Sequence, residues 1–198
     1  MDQFILQIMN GLDKGSAYAL IALGLTLIFG TLGVVNFAHG ALFMMGAFCA
    51  VTLSRLLTLS HTIVDETRTD LLGNPLKVEV PYLYDIFGES LGASIIDWAV
   101  PLSILFAIPI MIGIGVIMER GLIKHFYNRP HADQILVTFG LAIVVQEIIK
   151  YYFGANQIPT PAPEAFIGSF DFGAVVGIEA NKIIYPYWRI IYFLFAML

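Results

Sequence analysis

Three features of the sequence predict an all-α fold, a polytopic transmembrane helical bundle. Several uninterrupted apolar runs approach the roughly 20 residues that a helix needs to cross a bilayer. Composition agrees, with 58% of the 198 residues hydrophobic, 13% charged and a mean hydropathy of +0.81. The third feature is the stretch Gly15 to Gly46, which has no Asp, Glu, Lys or Arg yet carries Asn36 and His39. A polar side chain within a bilayer is tolerated where it faces other helices or a wet cavity. A lipid-facing anchor has no use for one. Gly15, Gly24, Gly30, Gly33, Gly40 and Gly46 either let helices approach closely or let the backbone leave a helix where protein or water can satisfy it. The pattern amounts to about four complete spans and the start of a fifth.

Taken in order, Phe4 to Leu12 is apolar but short, about half of a 30 Å core, and Asp13-Lys14 follows it. The expectation is an interfacial helix, then a first span from Ser16 to about Val35 and a second from about Ala41 to Leu59. Asn36 to Gly40 joins them. The alternative is a break at membrane depth over Gly30 to Gly40 joining two half-helices, as in transporters with midplane sites. Residues 60–97 read as an acidic insertion in which the alternation of LKVEV and the Gly73-Asn74-Pro75 turn predict a hairpin. A short helix is expected near Leu83 to Phe87. Val100 to Met118 is the third span, and Pro109 within it should kink the helix.

Glu119 to Gln134 carries Arg120, Lys124 and Arg129, the densest positive stretch in the chain. The positive-inside rule makes it cytoplasmic and the 60–97 insertion extracytoplasmic. Ile135 to Phe153, the fourth span, then runs outward, and Gly154 to Pro186 lies outside. Two ordinary crossings over the first stretch put the N-terminus outside as well. Tyr187 to Leu198 has twelve residues, about 18 Å of helix, so the sequence is expected to stop within a span. The whole of 1–198 is therefore read as one membrane domain, incomplete at its C-terminus.

Several functions are excluded. A net charge of −5 and a pI near 5.2 offer no basic face for nucleic acid. The single Cys49 rules out an intrachain disulfide framework and a cysteine metal cluster. No GxxxxGK[ST] phosphate loop occurs, so ATP must be handled by another polypeptide. No metal and no cofactor are expected. The N-terminus lacks the basic region and cleavage site of a removed signal peptide.

Four residues are candidates for a solute pathway. Asn36 fits as a helix cap whose side-chain oxygen receives the N–H of Ala38 or His39, and bundle contact is compatible with that. His39 could act as a base or ligand, but His61, His125 and His131 fall in predicted loops, so a packed, hydrogen-bonded histidine is the simpler reading. Gln146 and Glu147 lie in the outer half of the fourth span, with Lys150 three residues beyond Glu147. An ion pair on one helix face explains them structurally; lining or gating a solute route is the functional alternative. The face through Thr138, Ala142, Val145 and Ile149 reads as packing, and the Gln and Glu are on another side.

The runs GSAYALIALGLTLIFG and GVVNFAHGALFMMGAF, followed by VTFGLAIVVQEIIKYYFG, resemble the permease subunits of branched-chain amino acid ABC importers, the LivH-like group. The resemblance is close over roughly residues 9 to 56 and 117 to 154. It implies alternating access driven by two cytoplasmic ATP-binding subunits, a second permease subunit, and a periplasmic solute-binding protein that delivers the small polar solute. It also implies a multi-pass place in the lipid of a bacterial inner membrane, and no enzymatic activity in this chain. Related permeases carry urea and short amides, which stays open. So does an ion-coupled secondary transporter, although Glu147 is the only acidic residue well inside a predicted span. The family's ATPase-coupling segment is not found in these residues.

Overall fold

The computed structural model describes residues 2–33, 36–69, 75–156, 158–159, 167–171 and 184–197. Four helices among them are long and apolar enough to cross a membrane: Gln3–Thr31, His39–Leu57, Ala99–Phe126 and His131–Phe153. Their apolar side chains are largely uncovered by the chain itself; Ile117 is 72% exposed and Leu136 70%. Apolar surface on this scale needs lipid or other protein against it. The chain is a polytopic α-helical membrane protein.

Its residues divide into two compact units, Met1–Ala47 with Met111–Ala162 and Phe166–Leu198, and Phe48–Ile110 with Pro163–Ala165. In the first unit α1 runs from Asp2 to Leu32 without a break, which corrects the expectation of a short interfacial helix followed by a separate span. Asp13 and Lys14 do not interrupt it, since charged residues are compatible with a helix when satisfied. Asp13 meets Arg189 with 3.8 Å between Oδ2 and Nε, and Ser16 Oγ donates back to the Asp13 carbonyl at 2.6 Å. The helix is about 46 Å long, enough for a 30 Å crossing and an additional stretch beyond the core.

The last helix of the described chain, α7 (Tyr187–Met197), packs on α1. Arg189 Nη1 donates to Asn10 Oδ1 at 2.9 Å, and the guanidinium lies 5.2 Å from the Trp188 ring centroid and 5.7 Å from that of Tyr185. Tyr185 is buried and donates its hydroxyl to the Met9 carbonyl at 3.2 Å. Partial burial, then the charge of Asp13, pushes its pKa up, with Arg189 opposing. Tyr185 meets Met9 and Arg189 meets Asn10 and Asp13, so the chain rises along both helices in the same direction. Just before α7, β3 (Ser169–Asp171) pairs antiparallel with β4 (Ile184–Pro186). Most of the Gly154 to Pro186 segment lies outside the described residues.

The second unit contains the insertion. The expected hairpin is present: β1 (Ser60–Thr69) pairs antiparallel with β2 (Pro75–Pro81), from Ser60 opposite Pro81 to Asp65 opposite Leu76, with an irregularity before Thr69. Its turn at Gly73-Asn74 falls outside the described residues. The expected short helix is α3 (Tyr82–Phe87), and a further one that the sequence reading did not predict, α4 (Glu89–Asp97), follows it. His61 ties the hairpin to α3, stacking on Tyr82 with centroids 4.7 Å apart and placing Nδ1 3.7 Å from Asp85 Oδ2.

The second span, α2, is His39–Leu57, beginning two residues earlier than expected. The third, α5, is Ala99–Gly121 and continues through Pro109, whose missing N–H leaves the Leu105 carbonyl without its helical donor. A 3-10 turn at Ile123–Phe126 then leads to α6, His131–Phe153.

Candidate functional site

One end of the first unit gathers most of its buried polar groups. α1 stops because Gly33 takes φ +63, a conformation that favours glycine, and returns its N–H to the Phe29 carbonyl at 2.9 Å. After the turn, Asn36 is 8% exposed, and its Oδ1 accepts the Ala38 N–H at 2.9 Å while its carbonyl accepts the His39 N–H at 3.3 Å. This Asx turn starts α2, the capping geometry expected from the sequence.

Between these two bonds, the Phe37 N–H points away and donates to Thr138 Oγ1 of α6 at 3.1 Å. Thr138 is 1% exposed and its hydroxyl donates in turn to the Gln134 carbonyl at 2.8 Å. Gln134, also buried, holds the connection before α6, donating from Nε2 to the Phe126 and Arg129 carbonyls, both at 3.1 Å. The face predicted to pack does so, with Thr138, Val145 and Ile149 buried. In the sequence Thr138 reads as packing, and Gln134 does not stand out as a site residue. Their spacing of four residues at the start of an apolar helix was the available signal.

His39 lies against α1. A Cβ built at Gly24 would come 2.7 Å from His39 Nε2, so the missing side chain at Gly24 is what lets the imidazole rest there. Gly24→Ala is expected to displace the ring and lower thermal stability slightly, because the far end of a side chain can move; Gly24→Ala with His39→Ala should recover that loss. Equal melting temperatures for Gly24→Ala and wild type would show that the ring moves freely.

Gln146 and Glu147 are elsewhere. Both are exposed, and Gln146 is two turns beyond Thr138, about 12 Å along the axis. Among the described residues no hydrogen bond joins either to Asn36 or His39. Glu147 Oε1 pairs with Lys150 Nζ at 2.7 Å, with side-chain exposures of 63% and 44%. Such an exposed pair contributes at most about 1 kcal/mol. Glu147→Gln should therefore leave stability nearly unchanged in a thermal melt, so that any loss of uptake it causes reports on the solute route.

Beside Asn36 is a cleft of about 150 Å³, lined by Ile28, Asn36, Leu42, Gly115, Met118, Glu119, Ile123 and Tyr127. The end of α1, the start of α2 and the end of α5 supply its apolar wall. Tyr127 donates its hydroxyl to Glu119 Oε1 at 3.1 Å. Partial burial, then the hydrogen bond and charge of Glu119, raise the Tyr127 pKa above its ordinary 10, so at neutral pH the hydroxyl is a donor. Of these polar residues only Asn36 stands out in the sequence as a site candidate. Glu119 and Tyr127 looked like the opening of a charged loop, and nothing in their spacing shows that they fold back beside Asn36.

A profile described as the permease component of the branched-chain amino acid transport system matches residues 7–198. The high-affinity branched-chain amino acid transport system permease protein LivH of Salmonella typhimurium is 41% identical over 178 residues, 90% of this chain and 47% of that protein. The high-affinity branched-chain amino acid transport system permease protein BraD of Pseudomonas aeruginosa is 48% identical over 59 residues, 28% of this chain and 19% of that protein. LivH of Escherichia coli K12 is 41% identical over 56 residues, 28% and 18% of the two chains. The chain spans about half the length of that Salmonella typhimurium relative and less of the other two. No solved structure matches at a significant level. A profile matching nearly every residue, on a bundle with four helices fit to cross a membrane, places this chain in the family of branched-chain amino acid transport permeases.

Proposed function

We propose that the chain is part of the membrane-spanning permease of an ABC importer that moves branched-chain amino acids across a bacterial inner membrane. A second permease subunit completes the pathway, cytoplasmic ATP-binding subunits hydrolyse ATP to drive it, and a periplasmic solute-binding protein delivers the solute. The observation that carries this reading is the 41% identity to LivH over 90% of the chain. Asn36, buried beside the start of α2, and His39, the first residue of α2, are the first candidates for the solute route. Gln146 and Glu147 are candidates further along α6. Solute and nucleotide must favour different states of the bundle for transport to be coupled.

The test is uptake by proteoliposomes containing the full-length permease with its partners. Leucine accumulation that requires both ATP and the binding protein is expected. Uptake that ignores ATP but collapses with the proton gradient would replace this reading with a secondary transporter. Accumulation of urea or acetamide in place of leucine would change the solute and keep the mechanism.

A further inference from the structure

We infer that α3 and α4 rest on the bilayer surface as an interfacial foot, burying Ile86, Phe87 and Leu91 at the boundary between headgroups and acyl chains. Tyr82 and Trp98, at the two ends of the foot, sit at headgroup level. The partner is the lipid of the leaflet on the insertion's own side. The inference needs the membrane spans on either side of the insertion and is independent of what the permease carries.

Both ends of the pair are fixed at the ends of spans. α2 closes at Leu57, and the Leu59 carbonyl just beyond it accepts the Tyr82 N–H at 3.0 Å, so α3 starts beside the exit of that span. α4 closes at Asp97 and α5 opens at Ala99, with Trp98 joining them: its N–H donates to the Ser94 carbonyl at 3.3 Å, and its carbonyl accepts the Leu102 N–H at 3.0 Å. The uncharged part of α5, Ala99 to Met118, has twenty residues, about 30 Å of helix and the thickness of a bilayer core. Trp98 therefore stands at the edge of the core. The nine residues of α4 keep its far end within about 14 Å of that edge.

The faces of the two helices divide accordingly. On α3, Tyr82 and Asp85 turn to the hairpin, where both meet His61. Tyr84 turns to α4, its ring 2.6 Å from where a Cβ at Gly92 would be. At about 100° per residue, the side left over carries Ile86, 69% exposed, and Phe87, 52%. On α4, Glu89, Ser90, Ser94 and Asp97 share a polar side, and Leu91 and Ile95 lie on an apolar one that runs on to Trp98. Leu91 is 61% exposed and Trp98 51%. Uncovered apolar side chains held this close to a bilayer have it as their cover, and Tyr and Trp favour its headgroup level. Residues 82–98 contain Asp85, Glu89 and Asp97 but no Lys or Arg, so apolar insertion, not attraction to anionic headgroups, holds the foot down. Through His61 the foot carries the β1–β2 hairpin.

The test uses the full-length permease assembled with its partner subunits in phosphatidylcholine nanodiscs. Single nitroxide labels are placed by Ile86→Cys, Ser90→Cys, Leu91→Cys and Ser94→Cys in a cysteine-free background. Oxygen, which concentrates in lipid, should relax the labels at the Ile86 and Leu91 positions several times more than a water-soluble nickel chelate does, and the order should reverse at the two serine positions. Nickel prevailing at Ile86 and Leu91 would put the foot in water, and exclusion of both reagents there would put a protein partner on it; either result overturns the inference. A second measurement needs no substitution. With a phosphatidylcholine carrying a diazirine near the carbonyl end of its acyl chain, mass spectrometry should find lipid attached to the peptide holding Ile86, Phe87 and Leu91, and to the exposed Ile104 and Leu105 of α5. Attachment to α5 alone would overturn the foot. Attachment to neither would remove the span it is anchored to, and the foot with it.

Discussion

Thr138→Val should cost about 1–3 kcal/mol, the usual penalty for leaving a buried hydrogen-bonding group without its partner. The substitution nearly keeps the volume and shape of the side chain and replaces the hydroxyl with a methyl group that can accept no hydrogen bond. That hydroxyl is the acceptor for the Phe37 N–H at 3.1 Å and is itself 1% exposed within α6. Without it the turn between α1 and α2 loses its tether to α6, and Asn36 and His39 lose their fixed place relative to that helix. Thr138→Ser keeps the bond and gives up one methyl, about 0.8 kcal/mol. Thermal melts of the detergent-purified, full-length permease should rank wild type, then Ser, then Val. A Val variant as stable as the Ser variant would show that the Phe37 bond contributes little.

A second large effect is expected at the opposite end of α1. Arg189→Ala removes a hydrogen bond from a charged donor to Asn10, the attraction to Asp13 and two aromatic contacts. Asp13, whose side chain is 18% exposed, would then face α7 without a cation. Hydrogen bonds to charged groups contribute about 1.5–3 kcal/mol. Arg189 is itself about a third exposed, 34%, so solvent screening brings the expected loss to about 2 kcal/mol. Lysine should not restore it, because a point charge lacks the planar fork that reaches Asn10 and Asp13 together. A double-mutant cycle with Asp13→Ala should show coupling of about 0.5–1 kcal/mol. Additive losses would mean that the two charges act independently despite their 3.8 Å separation.

The spans were legible because bilayer thickness sets a length that composition alone reveals. α2, α5 and α6 begin and end within a few residues of the apolar runs that predicted them. The hairpin was legible for a similar local reason, alternation in LKVEV beside a turn signal. Failures came where the deciding partner was distant in sequence. Asp13 looked like a break in a helix because Arg189, which satisfies it, lies 176 residues away. Thr138 looked like packing because Phe37, its hydrogen-bond partner, is 101 residues earlier.

The candidate site divides along the same line. Asn36 was found because its cap acts on a neighbour two residues away. Glu119 and Tyr127 were missed because only the fold brings them to Asn36. Gln146 and Glu147 drew attention as polar residues in a span, and the structure gives Glu147 a local partner in Lys150.

The membrane-spanning arrangement underlies the proposed importer, the solute route and the interfacial foot alike. It is tested most directly by labelling single cysteines at the two ends of α6 in a Cys49→Ser background. Asn128 and Asn156 are exposed positions flanking that helix. With a membrane-impermeant maleimide, Asn128→Cys should react only from the cytoplasmic side and Asn156→Cys only from the outside. Both cysteines reacting from one side, or each from the side opposite to that expected, would contradict the account.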